Sequence, residues 1–391
     1  MARTLTQLDE WLRHQTIDTF DTVATASPQW SDGYWFCFGD PEGKAHLITA
    51  LRVYQNTNVM DGYAIISLDD GKQYNLRVSR RLRPRIDDLR CGPMWMEIIE
   101  GLRTMRVVCD DNPHGVSFDL RWDGLAPPYD ETAGVRRSVD GRLVSERSNF
   151  VQVADVSGEI SVYGRKFVVD SSWVGVRDHS WGIGDTGTGD KPGFAAPAAA
   201  STAAGASGAL GFGHRQWTLL RFPERSIYYH FHHSNAGRFA PWQSRVDYRY
   251  GDPRQSWSYR DVRITSNEFD AGRRRLKSAE LELTRPDGGK ERIAMETVSK
   301  PVYMQGGGYW GGYHDTLGRG VYRGEEVVEG DTWDVSDPTL VKDFSGTIIP
   351  QKNGAWAETY ATFRNLDDPA ETGLGLLEAV IAGPYPGITE D

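Results

Sequence analysis

The sequence predicts an all-β chain: antiparallel up-and-down strands closing into two β-barrel domains in tandem, with few short helices. Three observations predict it. Segments with period-2 alternation of apolar and polar residues recur along the chain, separated by Gly, Asp, Asn and Pro, as half-buried strands require. The 13 Trp, 17 Tyr and 14 Phe beside 43 Gly and 19 Pro describe short strands with punctuated turns better than a helical bundle. At 391 residues the chain exceeds what one hydrophobic core serves, so two domains of ordinary size are expected.

Taken in order, TQLDEWLRH (6–14) places Leu8, Trp11 and Leu12 on one helical face and reads as a short helix. YWFCF (34–38), HLITALRVY (46–54), GYAIISL (62–68), TMRVVC (104–109) and VSFDLRW (116–122) read as strands, with turn signals such as DPEGK and LDDGK between them. PMWMEIIEGLR (93–103) fits helix or strand. ISVYGRKFVV, QWTLLRF, SIYYHFHH, SRVDYRY, SWSYRDVRI, AELELTR and ERIAMET continue the strand pattern, and TGLGLLEAVIAG near the end reads as a short helix. Between the two β-rich halves, GTGDKPGFAAPAAASTAAGASGALGFG (187–213) holds almost no side chain that could build a core. The expected division is therefore a first barrel over residues 1–185, a Gly/Ala-rich linker or flap over 186–213, and a second barrel over 214–391. Whether that linker acts as a lid is left open.

Lys and Arg total 44 against 54 Asp and Glu, a formal charge of −10, which disfavours nucleic acid as a partner. The strongest basic run, SRRLRPR (79–85), has no aromatic interleaving and reads as a solvated strand end or loop. Cys37, Cys91 and Cys109 form no C-x-x-C pair, and their odd number fits a reducing compartment better than a disulfide framework. The charged start, MARTLTQLDEWLRHQTID, lacks the apolar run of a signal peptide, and no stretch approaches a membrane span. A soluble cytoplasmic protein is expected.

GVRDHSWGIGD (175–185) is the densest run of chemistry-bearing side chains. In an extended strand Arg177, His179 and Trp181 point one way, Asp178 and Ser180 the other. On a cavity wall, His179 offers proton transfer near neutral pH, Trp181 a π-face for developing positive charge, and Arg177 an orienting group. The counter-reading is a barrel-closing strand in which His179 and Trp181 plug the core while Asp178 and Arg177 form an interdomain salt bridge. Spacing alone leaves both open.

The segment VSGEISVYGRKFVVDSSWVGVRDHSWGIGD (156–185) resembles the close of the first domain in the carotenoid 1,2-hydratase (hydroxyneurosporene synthase) and AttH-like superfamily, through Gly158, Gly164, Trp173, Asp178, His179, Trp181 and Gly182. The segments 101–131 and 317–330 also look like an uncharacterised bacterial branch of it. The resemblance implies two lipocalin-like barrels and chemistry on lipophilic molecules, with His179 and Trp181 as catalytic residues and a Tyr-x-Asp pair from the second barrel. The nearest counterpart of that pair is Tyr228-x-His230, in which histidine replaces the acid. Hydrating an unactivated alkene needs a strong buried acid, so this departure bears on how a proton would be delivered.

His230 and His232 share a strand face, with His233 opposite, but a zinc site needs three or four ligands and His179, His214 or His314 would have to be brought in by folding. No metal is expected. MQGGGYWGGYHDTLGRG (304–320) has no G-x-x-x-x-G-K-[ST], and reads as a strand-turn-strand whose glycines permit close backbone approach; adjacent His314 and Asp315 would face apart. GASGALG (205–211) misses the final glycine of G-x-S-x-G around Ser207.

The functional expectation is an enzyme without a cofactor, a lyase or an isomerase/cyclase. It would act on a terpenoid, steroid-like, prenylated or polyketide-derived molecule in an apolar, aromatic-lined cavity near the barrel interface. His179 would transfer protons, Trp181 would wall the site, Arg177 and Asp178 would orient them, and Tyr228 and His230 would contribute from the second barrel. The alternatives are a non-catalytic carrier of an apolar ligand and a metal-dependent hydrolase. The sequence leaves open whether barrels also pair between chains as a homodimer.

Overall fold

The computed structural model describes residues 5–10, 12, 14, 16–131, 136–139, 141–184, 212–234, 243–270, 275–336, 342–343 and 357–381. The expected linker at 186–213 lies outside the described residues except for its last two, which open a strand. The first sheet is built from β1 (Trp30–Gly39), β2 (Ala45–Tyr54), β3 (Val59–Leu68), β4 (Lys72–Arg81), β5 (Arg90–Cys91), β6 (Met94–Glu100), β7 (Thr104–Cys109), β8 (Val116–Gly124), β9 (Tyr129–Asp130), β10 (Arg136–Val139), β11 (Arg142–Val162), β12 (Arg165–Val169) and β13 (Val174–Ile183). The second uses β14 (Phe212–Arg221), β15 (Arg225–Ser234), β16 (Gln243–Tyr248), β17 (Asp261–Phe269), β18 (Leu276–Thr284), β19 (Lys290–Thr297), β20 (Val302–Tyr303), β23 (Ala357–Asn365) and β24 (Thr372–Ile381). In between, β21 (Glu326–Asp334) and β22 (Lys342–Asp343) return to the first sheet, β21 pairing with β4. The first sheet therefore draws on chain from both sides of residues 186–213.

The protein is all-β, built of two curled antiparallel sheets, the first nearly closed into a barrel and the second a half-barrel. The first sheet runs β22-β21-β4-β3-β2-β1-β13-β11-β8-β7-β6-β5 and curls until β5 comes back beside β3 and β4. There Arg80 donates to the carbonyls of Arg90 (2.6 Å) and Asp88 (2.6 Å). The second sheet runs β16-β15-β14-β24-β23-β19-β18-β17. Each barrel encloses its own core, Phe36, Leu76, Trp122 and their neighbours in the first, Tyr229, Phe231 and Leu281 in the second. A third apolar layer, including Ile48, Val174, Val176, Leu219, Tyr360 and Leu376, joins the outer faces of the two sheets. Burying one Leu or Ile side chain contributes about 1.5–3 kcal/mol. Strands such as β2, β3 and β24, buried on both faces, thus hold the architecture together.

Several local expectations are corrected. Among the described residues of TQLDEWLRH a single 3₁₀ turn forms, Gln7–Glu10, with Leu8 and Leu12 exposed; Trp11 lies outside the described residues. PMWMEIIEGLR resolves as strand β6. TGLGLLEAVIAG is not a helix but the strand β24, central in the second sheet; a short apolar run buried on both sides has no periodicity to tell the two apart. Its Gly373 and Gly375 lie where a Cβ would come within 2.3 Å of the carbonyl oxygens of Arg221 and Leu219. SRRLRPR is a strand end as expected but not a solvated one: Arg80 is fully buried and ties five backbone carbonyls together. The glycine-dense run forms two 3₁₀ turns, Met304–Gly307 and Tyr309–Gly311, and the close backbone approach is to the protein itself, since a Cβ on Gly306 would sit 2.2 Å from the Asn75 side chain.

Tyr360 keys one barrel into the other. Its hydroxyl donates to the carbonyls of Val174 (2.8 Å) and Cys37 (3.2 Å), and its ring meets His46 edge-on at 4.9 Å. Gly39 makes room for that ring: a Cβ there would lie 2.1 Å from it. Tyr360→Phe should cost about 1 kcal/mol through the lost hydroxyl, whereas Gly39→Ala should cost about 1–3 kcal/mol by overpacking. Thermal melts of the two variants should show the larger drop for Gly39→Ala, and the reverse order would refute this account of the joint.

Candidate active site

Strand β13 lies between β1 and β11 in the wall of the first barrel. Directly opposed residues share a sheet face and successive residues alternate. Tyr34, His179 and Phe150 form one row across the three strands, and Trp35, Asp178 and Val151 form the next. The dense motif is thereby split between two sites. Arg177, His179 and Trp181 turn toward the interior and mouth of the first barrel. Asp178 and Ser180 turn toward the second.

On the inner side, Arg177 is only 2% exposed, lies over the rings of Trp122 (5.7 Å) and Phe150 (5.2 Å) and donates to Gln152 (2.9 Å). One of its terminal nitrogens has no hydrogen-bond partner among the described residues, and burial pushes its pKa down to about 10. The ion pair between Asp178 and Arg177 that a structural reading of the motif would need is not formed; they occupy opposite faces. His179 Nε2 meets Asp32 at 2.9 Å, with the rings of Tyr34 at 4.5 Å and Trp181 at 5.5 Å. Trp181 is exposed.

On the outer side the first barrel meets β15, which turns Tyr228, His230 and His232 toward the junction and Tyr229 and Phe231 into its own core. The group that links them is Glu131, just after β9, whose backbone N–H donates to the Asn149 carbonyl at 3.0 Å. Its Oε1 accepts from the Tyr228 hydroxyl (2.5 Å), Trp217 Nε1 (2.9 Å) and His230 Nδ1 (3.2 Å), and its Oε2 from the Asn149 amide (2.7 Å). His230 Nε2 in turn accepts from Arg215 Nε at 3.1 Å, which assigns the proton to Nδ1 and makes the ring neutral.

The electrostatics follow from these contacts. Burial opposes ionisation of Glu131, but the hydrogen bonds from His230, Tyr228 and Asn149 outweigh it and hold the carboxyl below its usual range. Burial, then the Arg215 charge, push His230 down. Burial and the neighbouring Glu131 charge raise the Tyr228 hydroxyl well above its usual range. Asp178 moves the other way: burial raises its pKa, and the negative charge of Glu131 adds to this, against the pull of Arg147 and Arg52. Arg147 stands 3.5 Å from Asp178 Oδ2, and Oδ1 has no hydrogen-bond partner among the described residues. The Asp178 side chain is 18% exposed and that of His230 23%, while Asp178 Oδ1 itself is buried.

The junction thus collects three of the residues singled out from the sequence, Asp178, Tyr228 and His230, and leaves Arg177, His179 and Trp181 on the far face of β13. Glu131 went unnoticed, although it ends one of the segments that carry the family resemblance; a lone acid in a loop has no spacing to mark it. The His230 and His232 rings lie tilted to each other with centroids 5.0 Å apart, but both nitrogens of His230 are engaged. Among the described residues no three His, Cys, Asp or Glu side chains are grouped to hold a metal. His314 lies elsewhere, bonded to Asp331 (3.3 Å) and Arg77 (3.2 Å) beside the glycine-dense turns. A cavity of about 720 Å³ opens where Pro41 and Ser172 approach the second sheet. Its lining mixes Arg221, Glu280, Glu296 and Arg364 with Phe222 and Leu374 and contains none of the junction groups, unlike the apolar, aromatic-lined cavity expected.

No helix among the described residues is long and apolar enough to cross a membrane. The model of a family of unknown function (DUF8625) matches residues 5–388. No curated protein matches the chain. Solved structures to which it is similar include an AttH candidate from Nitrosomonas europaea, at 9% identity over 89% of this chain and 92% of that one (TM-score 0.49). Kievitone hydratase from Nectria haematococca is similar at 13% identity over 92% and 93% (TM-score 0.42), and CghA with Sch210972 at 11% over 91% and 89% (TM-score 0.48). AttH-like proteins are also what residues 156–185 resemble.

The opposed pKa shifts predict opposite pH signatures. For Glu131 and His230, whose folded values are lowered, the unfolded chain binds more protons. Their contributions are present above the unfolded values, about 4.3 and about 6.5, and are lost as the pH falls through the folded ones. For Asp178, whose folded value is raised, the contribution is present below about 3.9 and is lost as the pH rises through the folded value. Glu131→Gln should therefore lower the Tm at pH 7, by the equivalent of about 1–3 kcal/mol for the stranded donors, with the deficit shrinking in acid. Asp178→Asn should raise the Tm at pH 7, and that gain should fade toward about pH 4. Melting curves across pH test both; a loss of stability at pH 7 in Asp178→Asn would contradict the environment described for it.

Proposed function

The chain belongs to that family of unknown function, and we propose that it is an enzyme that moves protons on a lipophilic small molecule at the junction of its two barrels. The reaction would be a hydration, dehydration, isomerisation or cyclisation, carried by the side chains alone. One observation carries this reading: two carboxyls in the same junction are driven in opposite directions, Asp178 toward its protonated form and Glu131 toward its ionised form. Such a divided pair equips a site with an acid and a base at one pH.

In this reading Asp178 delivers the proton, its Oδ1 being uncommitted. Glu131, through the Tyr228 hydroxyl and His230, stabilises the opposite charge and takes up a proton from water or from carbon. The indole of Trp35, next to Asp178 in the cross-strand row and edge-on to Trp217 at 6.1 Å, offers a face to developing positive charge. The family resemblance would instead put proton transfer on His179, with Trp181 as the wall beside it. Their place on the inner face of β13, with Arg177 behind them, supports a role in shaping the mouth of the first barrel.

The test is incubation of the protein in D2O with a panel of terpenoids, prenylated phenols and steroids, read by mass spectrometry. Wild type should introduce carbon-bound deuterium into at least one class. Asp178→Asn should reduce the rate about 10²–10⁴-fold with binding retained, a larger effect than that of His179→Ala. Label that survives in Asp178→Asn but is lost in His179→Ala would move the chemistry to the barrel mouth. Compounds that bind and return unlabelled, with affinity lost on truncating Trp35 or Trp217, would establish a carrier.

A further inference from the structure

The outer face of β13 has a second feature, which the carboxyl pair does not use. Ser180 is buried, two residues past Asp178, and its hydroxyl oxygen accepts from two guanidiniums, Arg52 at 2.7 Å and Arg147. Arg52, on β2, is 6% exposed, and its remaining hydrogen bonds go to the Ser31 hydroxyl (2.9 Å) and the Gly33 carbonyl (3.4 Å), all neutral acceptors. It reaches across β1 only because residue 33 is glycine, where a Cβ would meet that of Arg52 at 2.7 Å. The carboxyl paired with Arg147 is Asp178, at 3.5 Å. Among the described residues, two cations therefore share one neutral oxygen with a single carboxyl, Asp178, paired to Arg147 beside them. Burial, and then the charges of Arg147 and Arg319, push the pKa of Arg52 down, so the pair is poised to gain from a bound anion. Arg319 is not part of it, being sandwiched between Tyr63 and Tyr309 with Asp61 at 3.9 Å.

The position is as telling as the charge. Ser180 pairs across the strands with Asn149, whose amide holds Glu131 Oε2. The arginines thus lie within about two strand spacings, about 10 Å, of the proton-transfer groups.

We propose that Arg52 and Arg147 form an anion-recognition subsite, and that the lipophilic molecule taken at the junction is an organic acid whose carboxylate they clamp. The planar guanidinium fork matches a carboxylate in shape as well as charge. The apolar body would lie along Trp35 and Trp217. This rests on the junction being the place where that molecule binds, as argued under the proposed function.

The experiment compares decanoate with decanol on the full chain by titration calorimetry at low ionic strength. Decanoate should bind at least about tenfold more tightly, the equivalent of one charge-assisted contact. Arg147 is 37% exposed and can be replaced without opening the core, unlike Arg52. Arg147→Gln should bring decanoate down to the affinity of decanol, with an unchanged melt showing that the fold is intact, and Arg147→Lys should keep part of the preference. Equal binding of acid and alcohol, decanoate affinity that ignores Arg147→Gln, or no binding of decanoate would each overturn the subsite. The two readings fail separately: deuterium incorporation with no preference for acids sinks the subsite alone, and acid binding that depends on Arg147 without any incorporation sinks the enzyme alone.

Discussion

The junction is organised around one buried carboxylate. Glu131 Oε1 gathers the hydroxyl of Tyr228, the indole of Trp217 and the imidazole of His230, while Oε2 takes the amide of Asn149. Removing an ionised carboxylate from water costs several kcal/mol unless its lone pairs are filled. Four donors from two sheets fill them here, so the charge is tolerated only when the barrels are docked in this orientation. Within the second sheet Arg215 sets the tautomer of His230, which leaves Nδ1 to donate to Glu131, and the charge of Glu131 adds to the burial that raises the Asp178 pKa. Docking of the sheets and the proton affinity of Asp178 are therefore tied to the same buried carboxylate.

The second constraint is the alternation of a strand. With β1 on one side and β11 on the other, β13 has no freedom to send consecutive side chains to the same place. Five consecutive chemistry-bearing residues become two sets: Arg177, His179 and Trp181 serve the first barrel, while Asp178 and Ser180 serve the space between barrels. The apolar layer of Val174, Val176 and Leu219, with Tyr360 keyed beneath it, packs the two sheets together beside that second space. Apart from Glu131, which follows β9, the groups of the site stand on strand faces, where burial can act on their proton affinities.

Much of the architecture was legible because period-2 burial leaves a direct trace in the sequence. The hairpins from Trp30 to Leu68 and from Thr104 to Gly124 lie where alternation and turn residues place them. The errors came where that trace is absent. β24 is buried on both faces and so reads as an unbroken apolar run, and the 6–14 segment has a helical pattern but leaves Leu8 and Leu12 exposed. Pairing of β21 with β4 joins residues some 250 positions apart, which no local pattern encodes.

For the site, the sequence by itself determined which side chains β13 carries, their alternation, and that Tyr228 and His230 share a face of β15. It also marked histidine as standing where the resembling family has an acid. Only the tertiary structure decided which face of β13 meets β15, that Glu131 supplies an acid there from the other barrel, and that Arg52 crosses a glycine to reach Ser180. The physical reason is that alternation is a property of a strand alone, whereas burial, charge proximity and hydrogen-bond partnership, which set a carboxyl's proton affinity, belong to pairs of residues brought together by folding.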